Sequence, residues 1–110
     1  MTQTPSTDIL TRLESTIASR RASPPESSYV AQLHARGLPV IARKLGEEAV
    51  EAAIAALAHD REDLVGEAAD VLFHLLVLLD ARQIALADVL AELERREGMS
   101  GLDEKAARTE

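Results

Sequence analysis

The feature that most constrains the fold is an apolar run, residues 71–79, which surrounds a predicted helix on nearly every side. His74 is the single polar residue within the run. A helix that is apolar all round has to be buried on every side. One chain of 110 residues has too few other helices to cover it, so we expect two copies to pack together as a homodimer. Asp70 and Asp80 bound the run, which makes it far too short to cross a bilayer.

The composition excludes several classes of protein. The chain contains no cysteine, which removes disulfide frameworks, thiol catalysis and thiolate zinc sites. Its 12 Lys and Arg residues against 19 Asp and Glu residues give a formal net charge of −7, and a chain this acidic repels a phosphate backbone. Tyr29 and Phe73 are its only aromatic residues, too few for a base-stacking platform on single strands. We therefore expect neither a nucleic-acid partner nor a membrane partner.

The length and the N-terminal residues favour a single domain located in the cytoplasm. A length of 110 residues is typical of one domain. Residues 1–7 carry neither the basic nor the apolar segment of a targeting signal. We expect a disordered N-terminus over residues 1–7, an all-α domain over residues 8–98 and a polar, irregular C-terminal tail over residues 99–110.

Apolar spacing and helix-boundary residues predict five helices. The predicted helices span residues 8–21, 29–36, 39–58, 61–81 and 86–96. Ser27 or Ser28 is the predicted N-cap of the second helix and Asp60 that of the fourth, because a short polar side chain satisfies free backbone N–H groups there. Gly37 closes the second helix, and Pro39 suits the first turn of the third. The sequence therefore predicts an all-α bundle of about five helices, completed by dimerisation.

Two acidic motifs lie at matching positions on the third and fourth predicted helices. Residues three or four apart share a helix face, so Glu48 and Glu51 project together, as do Glu67 and Asp70. When the two helices fold back on each other at the turn near Asp60, a rise of about 1.5 Å per residue brings both pairs to the same height within one helical turn. The spacing therefore predicts that four carboxylates converge between two largely apolar helices.

Converging carboxylates predict a bound cation. Without one, their mutual repulsion would raise their pKa values until some of them became neutral. All candidate ligands are oxygens, which favours Mg²⁺, with Mn²⁺ as a substitute. The Glu-x-x-His motif of a di-iron bundle is absent, which disfavours iron. Mg²⁺ held by a few carboxylates, with positions open to water, is the usual arrangement for acting on a phosphate substrate.

Several blocks of the sequence resemble the all-α nucleotide pyrophosphohydrolase superfamily, the MazG-like group. That group has Glu-Glu-x-x-Glu followed by Glu-x-x-Asp, which this chain carries at residues 47–51 and 67–70. More specifically, four blocks resemble the phosphoribosyl-ATP pyrophosphohydrolase family: residues 27–29, 44–51, 67–79 and 100–108. The resemblance covers roughly residues 9 to 108. Val40 stands where the family pattern has a basic residue, so we expect no phosphate contact from that position.

The resemblance implies an all-α, usually dimeric bundle that catalyses the second step of histidine biosynthesis. In that step phosphoribosyl-ATP and water give phosphoribosyl-AMP and pyrophosphate. On this basis we expect the metal ligands to be Glu48, Glu51, Glu67 and Asp70, and the catalytic residues to be Glu48 and Glu47. Glu47 would either support the metal ligands from behind or orient the attacking water. Lys44 is the first candidate for a phosphate contact, and the others are Arg43, Arg20, Arg21, Lys105 and Arg108.

Two other function classes stay open at this point. One is a MazG-like enzyme that removes pyrophosphate from non-canonical nucleoside triphosphates. The other is a non-catalytic helical interaction module, in which Glu47, Glu48 and Glu51 would form a solvated helix face paired with Lys44 and Arg43. Magnesium binding and the choice of nucleotide substrate discriminate among the three.

Four further residues also have more than one interpretation each. We expect His74 to be a hydrogen-bonded core histidine rather than a ligand, and Tyr29 to pack between helices rather than to stack on adenine. Gly46 and Gly66 precede the two acidic motifs and cost helix stability of about 1 kcal/mol each relative to alanine. They either permit close helix approach or leave room for substrate, or they are incidental small residues.

Overall fold

The structure, a computed structural model, describes residues 8–99 and 101–108. Six helices form this part of the chain, which contains no strand: α1 Asp8–Arg20, α2 Tyr29–Arg36, α3 Leu38–Ala58, α4 Arg61–Ala81, α5 Leu86–Arg96 and α6 Gly101–Ala107. The prediction of an all-α fold is confirmed, and the first five helices begin and end within one residue of their predicted bounds. The predicted disordered segment, residues 1–7, lies outside the described residues.

The prediction of an irregular C-terminal tail is wrong over α6. The chain reverses after α5 at Gly98, whose φ of 85° lies in the left-handed region that favours glycine. Residues 102–108 contain neither glycine nor proline, and most of them are good helix formers. Their polarity suggested an irregular segment, but polarity alone does not oppose helix formation.

Side-chain caps explain where α2 and α4 begin. The Oγ atom of Ser28 accepts a hydrogen bond from the backbone N–H of Ala31 at 3.2 Å, so Ser28 rather than Ser27 is the cap. Asp60 Oδ1 accepts from the backbone N–H of Asp63 at 3.0 Å. Because only two residues separate Ala58 from Arg61, this short turn folds α4 back against α3 as an antiparallel neighbour.

The core lies where α1, α2, α3 and α4 meet. Each contributes one side chain that is fully buried: Ile17, Leu33, Ile41 and Val77, respectively. The longest interface in the described chain joins α3 to α4. Helix α5 joins this core through buried Leu86, whose backbone N–H donates to Glu14 Oε2 at 2.7 Å. The core therefore fixes α3 and α4, the two helices that carry the acidic motifs.

A single chain does not bury α4 on every side, as expected for a chain with so few other helices. Val77 is fully buried, but Leu72 on the opposite side is 47% exposed. On α3, the exposed side chains Val50, Ile54 and Leu57 follow one another at helical spacing and form an outward apolar stripe. A single chain thus leaves apolar surface open on both long helices. No helix in the described ranges is both long and apolar enough to cross a membrane.

Candidate metal centre

Three carboxylates meet between the two long helices. One oxygen each from Glu48 on α3 and from Glu67 and Asp70 on α4 lies within 4.8 Å of the other two. Core packing sets the separation of the two helices, and the short turn at Asp60 sets which residues stand opposite each other. The structure therefore brings together three of the four acids that the spacing singled out.

Glu51, the fourth acid, adjoins this group. Its negative charge raises the pKa of both Glu48 and Glu67, as expected of a carboxylate close to both. Glu51 stands three residues from Glu48 on α3, so the two share a helix face. The acids of α3 and α4 thus form one continuous anionic cluster rather than two independent pairs.

The cluster shifts the titration of two of its members. Burial raises the pKa of Glu48, and the negative charge of Glu51 and its hydrogen bond raise it further, while His74 acts in the opposite direction. Burial also raises the pKa of Glu67, followed by the effects of Glu51, Asp70 and Glu48. Both shifts have the same cause, since negative charges are held together where water is partly excluded. Such a cluster becomes more stable when it takes up protons or a cation.

The donor atoms fit a hard divalent cation. Glu67 Oε2 is buried and has no hydrogen-bond partner in the described part of the chain. A buried carboxylate oxygen without a partner is costly, and a bound cation would remove that cost. The close group offers only carboxylate oxygens, the ligands that Mg²⁺ and Mn²⁺ prefer. The residues present therefore fit such an ion.

Glu47 lies outside the close group and contacts the neighbouring basic residues. Its side chain is 50% exposed, with one oxygen 3.5 Å from Arg43 Nε and the other 3.6 Å from Lys44 Nζ. Both contacts lie on the same helix as Glu48. The basic side chains of Arg43 and Lys44 and the carboxylate of Glu47 therefore lie next to the acidic cluster on α3, where they are accessible to solvent.

The other basic candidates are not brought to the cluster by any contact in the described ranges. Arg21 donates to Asp80 Oδ1 at 3.2 Å, and Asp80 stands ten residues beyond Asp70, roughly 15 Å along α4. Arg20 ends α1, while Lys105 and Arg108 are exposed at the C-terminal end of the described chain. Val40, at the position where a basic residue was expected, packs against the core.

His74 is a core histidine, as expected. It is 6% exposed, and its Nδ1 lies 2.8 Å from the backbone oxygen of Asp70. Because a carbonyl only accepts, Nδ1 donates, and in the neutral ring Nε2 then accepts from the hydroxyl of Tyr29 at 3.0 Å. Both ring nitrogens are used, so neither is left to bind a metal. Sequence reasoning missed this Tyr29–His74 bond, which joins α2 to α4.

The two glycines that precede the acidic motifs are not needed for helix packing within one chain. A Cβ atom at Gly46 or Gly66 would meet no other atom within 4 Å in the described chain. Of the interpretations given above, close helix approach within one chain is therefore not supported, and room for a substrate and incidental small residues are left.

Comparison with known proteins gives a consistent result. The sequence model of the phosphoribosyl-ATP pyrophosphohydrolase family matches residues 10–97. A protein of Erythrobacter litoralis named phosphoribosyl-ATP pyrophosphatase is 66% identical over 99 residues, which cover 90% of this chain and 95% of the relative. A protein of the same name from Rhizorhabdus wittichii is 66% identical over 102 residues, with coverage of 93% and 96%. A third, from Dinoroseobacter shibae, is 61% identical over 100 residues, with coverage of 91% and 98%.

The raised pKa of Glu67 predicts a pH-dependent gain in stability when its charge is removed. Below its ordinary pKa of 4.5 the carboxyl is protonated in folded and unfolded chains and does not lower the free energy of unfolding. Above its raised folded-state pKa it is ionised, and the repulsion within the cluster destabilises the fold. We therefore expect Glu67→Gln to raise the melting temperature of the metal-free protein at pH 7, with the gain vanishing towards pH 4.5.

Thermal unfolding in the presence of EDTA, followed by circular dichroism, measures this difference. Glu94→Gln is the matched control, since it removes one negative charge from an exposed position on α5. A Glu67→Gln variant that melts at or below the wild-type temperature at pH 7 would contradict the electrostatic account of the cluster.

Proposed function

The chain belongs to the phosphoribosyl-ATP pyrophosphohydrolase family, and we propose that it hydrolyses phosphoribosyl-ATP to phosphoribosyl-AMP and pyrophosphate. This reaction is the second step of histidine biosynthesis, and it makes the protein a hydrolase of a phosphoric anhydride. The observation that carries the proposal is the meeting of Glu48, Glu67 and Asp70 between α3 and α4. Carboxylates that face one another across two helices repel, and a bound cation would offset that repulsion.

We propose that Glu48, Glu51, Glu67 and Asp70 hold Mg²⁺, with Mn²⁺ as a substitute. The oxygen-only donor set and the unpartnered Glu67 Oε2 support this choice. When bound, the ion polarises the phosphoryl oxygens of the anhydride and neutralises charge on the departing pyrophosphate. Each of the two long helices supplies two of the proposed ligands, so the site depends on the packing of α3 against α4.

Residues beside the cluster supply the remaining functions that we propose. Glu47 orients the attacking water or supports the metal ligands, because it directly precedes Glu48 on α3 and its half-exposed carboxylate is open to solvent. Lys44 and Arg43 bind substrate phosphates, and their contacts with Glu47 keep both cations close to the acids. Water attacks phosphorus directly, so no covalent enzyme intermediate is needed. Phosphate contacts from Arg21, Lys105 and Arg108 stay predictions.

The proposed reaction predicts that Glu48→Gln abolishes turnover without unfolding the protein. The amide keeps the size of the side chain but removes a negative charge that the cation requires, so we expect activity to fall by at least about a hundredfold. The assay measures pyrophosphate released from phosphoribosyl-ATP and from several nucleoside triphosphates, with and without Mg²⁺. Circular dichroism checks that the helical spectrum is unchanged.

The outcomes of this assay separate the function classes. Magnesium-dependent activity retained in Glu48→Gln would contradict the role of Glu48, while Glu94→Gln serves as the active control. Pyrophosphate release from nucleoside triphosphates but not from phosphoribosyl-ATP would favour a MazG-like enzyme of different specificity. No activity towards either substrate, together with no magnesium binding, would leave a non-catalytic helical module.

We propose that two copies of the chain form a homodimer. Support comes from the outward apolar stripe of α3 and from Leu72, 47% exposed on α4, since exposed apolar surface of this extent is typical of interaction sites. The acidic composition without cysteine supports our further proposal of a cytoplasmic protein that binds neither nucleic acid nor membrane.

The dimer proposal predicts a mass of twice 11.9 kDa by light scattering at micromolar concentration. A charge buried in an apolar interface is destabilising, so we expect the double variant Ile54→Glu, Leu72→Glu to shift the protein to monomer. Leu102→Glu, at a residue that is 81% exposed on α6, is the control and should leave the mass unchanged. A wild-type protein that is wholly monomeric would contradict the proposal.

A further inference from the structure

Beside the candidate metal centre, the structure holds one half-exposed aromatic ring. The chain has a single tyrosine, a single phenylalanine and no tryptophan. The rings of Tyr29 and Phe73 are stacked, with centroids 6.1 Å apart and planes 21° apart. His74 meets both rings edge-on, at 5.8 Å and 5.2 Å. All the aromatic surface that the chain possesses is therefore collected at one place.

The ring of Tyr29 is fixed but not covered. Phe73 supports it from one side, and its hydroxyl donates to His74 Nε2 at 3.0 Å. Tyr29 begins α2 directly after the Ser28 cap, so its backbone is fixed as well. Even so, 45% of the residue remains exposed. A ring that is already immobilised loses little conformational entropy when a ligand stacks on it.

His74 connects the Tyr29 ring to the helix that carries Glu67 and Asp70 of the acidic cluster. His74 stands four residues after Asp70, roughly 6 Å along α4, and its Nδ1 bonds to the Asp70 carbonyl. Tyr29 thus contacts the residue that stands one helical turn beyond Asp70, and the centroid of its ring lies 5.8 Å from that of His74. A nucleotide with its phosphates at the cluster carries its base one ribose away, which is a span of this order.

Tyr29 packs against Phe73 and His74, as expected, but this packing covers it only in part. We propose that the exposed part of its ring stacks on the purine base of the nucleotide substrate. The inference rests on the proposed function and adds a binding residue for the base to the residues already proposed for the phosphates. Stacking on a ring selects ligands that carry an aromatic base over those that lack one. Tyr29 therefore contributes to substrate affinity and leaves the chemical step to the acids.

Intrinsic fluorescence tests the contact directly. Because Tyr29 is the only tyrosine and the chain has no tryptophan, emission excited at wavelengths where phenylalanine does not absorb comes from this ring alone. The two products of the proposed reaction differ in whether they carry a base. In the presence of Mg²⁺, we expect phosphoribosyl-AMP to quench the emission in a saturable manner, after correction for absorbance, and pyrophosphate to leave it unchanged.

Two substitutions separate the ring from its hydroxyl. Tyr29→Leu removes the ring but keeps an apolar side chain, and we expect KM for phosphoribosyl-ATP to rise about tenfold with kcat within about threefold of wild type. Tyr29→Phe keeps the ring and loses only the bond to His74, so KM should stay within about threefold. Inhibition by pyrophosphate should be equally strong in all three proteins, because pyrophosphate has no base to stack.

Three results would overturn the inference. They are a wild-type emission that does not respond to phosphoribosyl-AMP, a Tyr29→Leu variant with wild-type KM, and a Tyr29→Leu variant whose affinity for pyrophosphate falls together with its affinity for substrate. The last result would mean that Tyr29 only supports the structure of the site. Failure of the proposed function is distinguishable, since a wild-type protein would then release no pyrophosphate from phosphoribosyl-ATP whatever the emission reports.

Discussion

The repulsion among carboxylates held between α3 and α4 is the constraint on which the site depends. Oxygens of Glu48, Glu67 and Asp70 lie within 4.8 Å of one another, and burial with neighbouring charge raises the pKa of both glutamates. This arrangement destabilises a folded chain unless something offsets it. A divalent cation held by these acids would offset it and, in the reaction that we propose, would polarise the phosphoric anhydride. The acidic cluster thus lowers the stability of the folded chain at the position where the proposed reaction requires a metal site.

The remainder of the fold keeps these acids facing each other. Ile41 and Val77 are buried at the junction of the helices, and Asp60 caps α4 at the turn. Inserting one residue into α3 between the turn and Glu51 would rotate the acids of α3 by about 100°, away from those of α4. The two outer faces of the same helices carry exposed apolar side chains such as Leu57 and Leu72. One pair of helices therefore presents acids inward and an expected subunit interface outward.

Local patterns in the sequence predict the helices and the convergence of the acids. Most of the features that these patterns do not predict are contacts between residues far apart in the sequence. The convergence of Glu48, Glu67 and Asp70 could be predicted, because helical periodicity and one short turn are enough to show which residues of α3 and α4 stand opposite each other. The bond between Tyr29 and His74 joins residues 45 positions apart, and no periodicity connects α2 with α4. The same holds for the bond between Arg21 and Asp80, which are 59 positions apart. Helix α6 was missed for a different reason, because its polar composition concealed adequate helix propensity.

Binding of Mn²⁺, followed by the electron paramagnetic resonance signal of the free ion, tests the central claim most directly. The account predicts that wild-type protein removes Mn²⁺ from solution in a saturable manner and releases it when Mg²⁺ is added. It predicts that Glu67→Gln, which lacks the charge at the unpartnered buried oxygen, binds much more weakly, while Glu94→Gln binds like wild type. A Glu67→Gln protein with wild-type affinity for Mn²⁺, or a wild-type protein that binds none, would contradict the account.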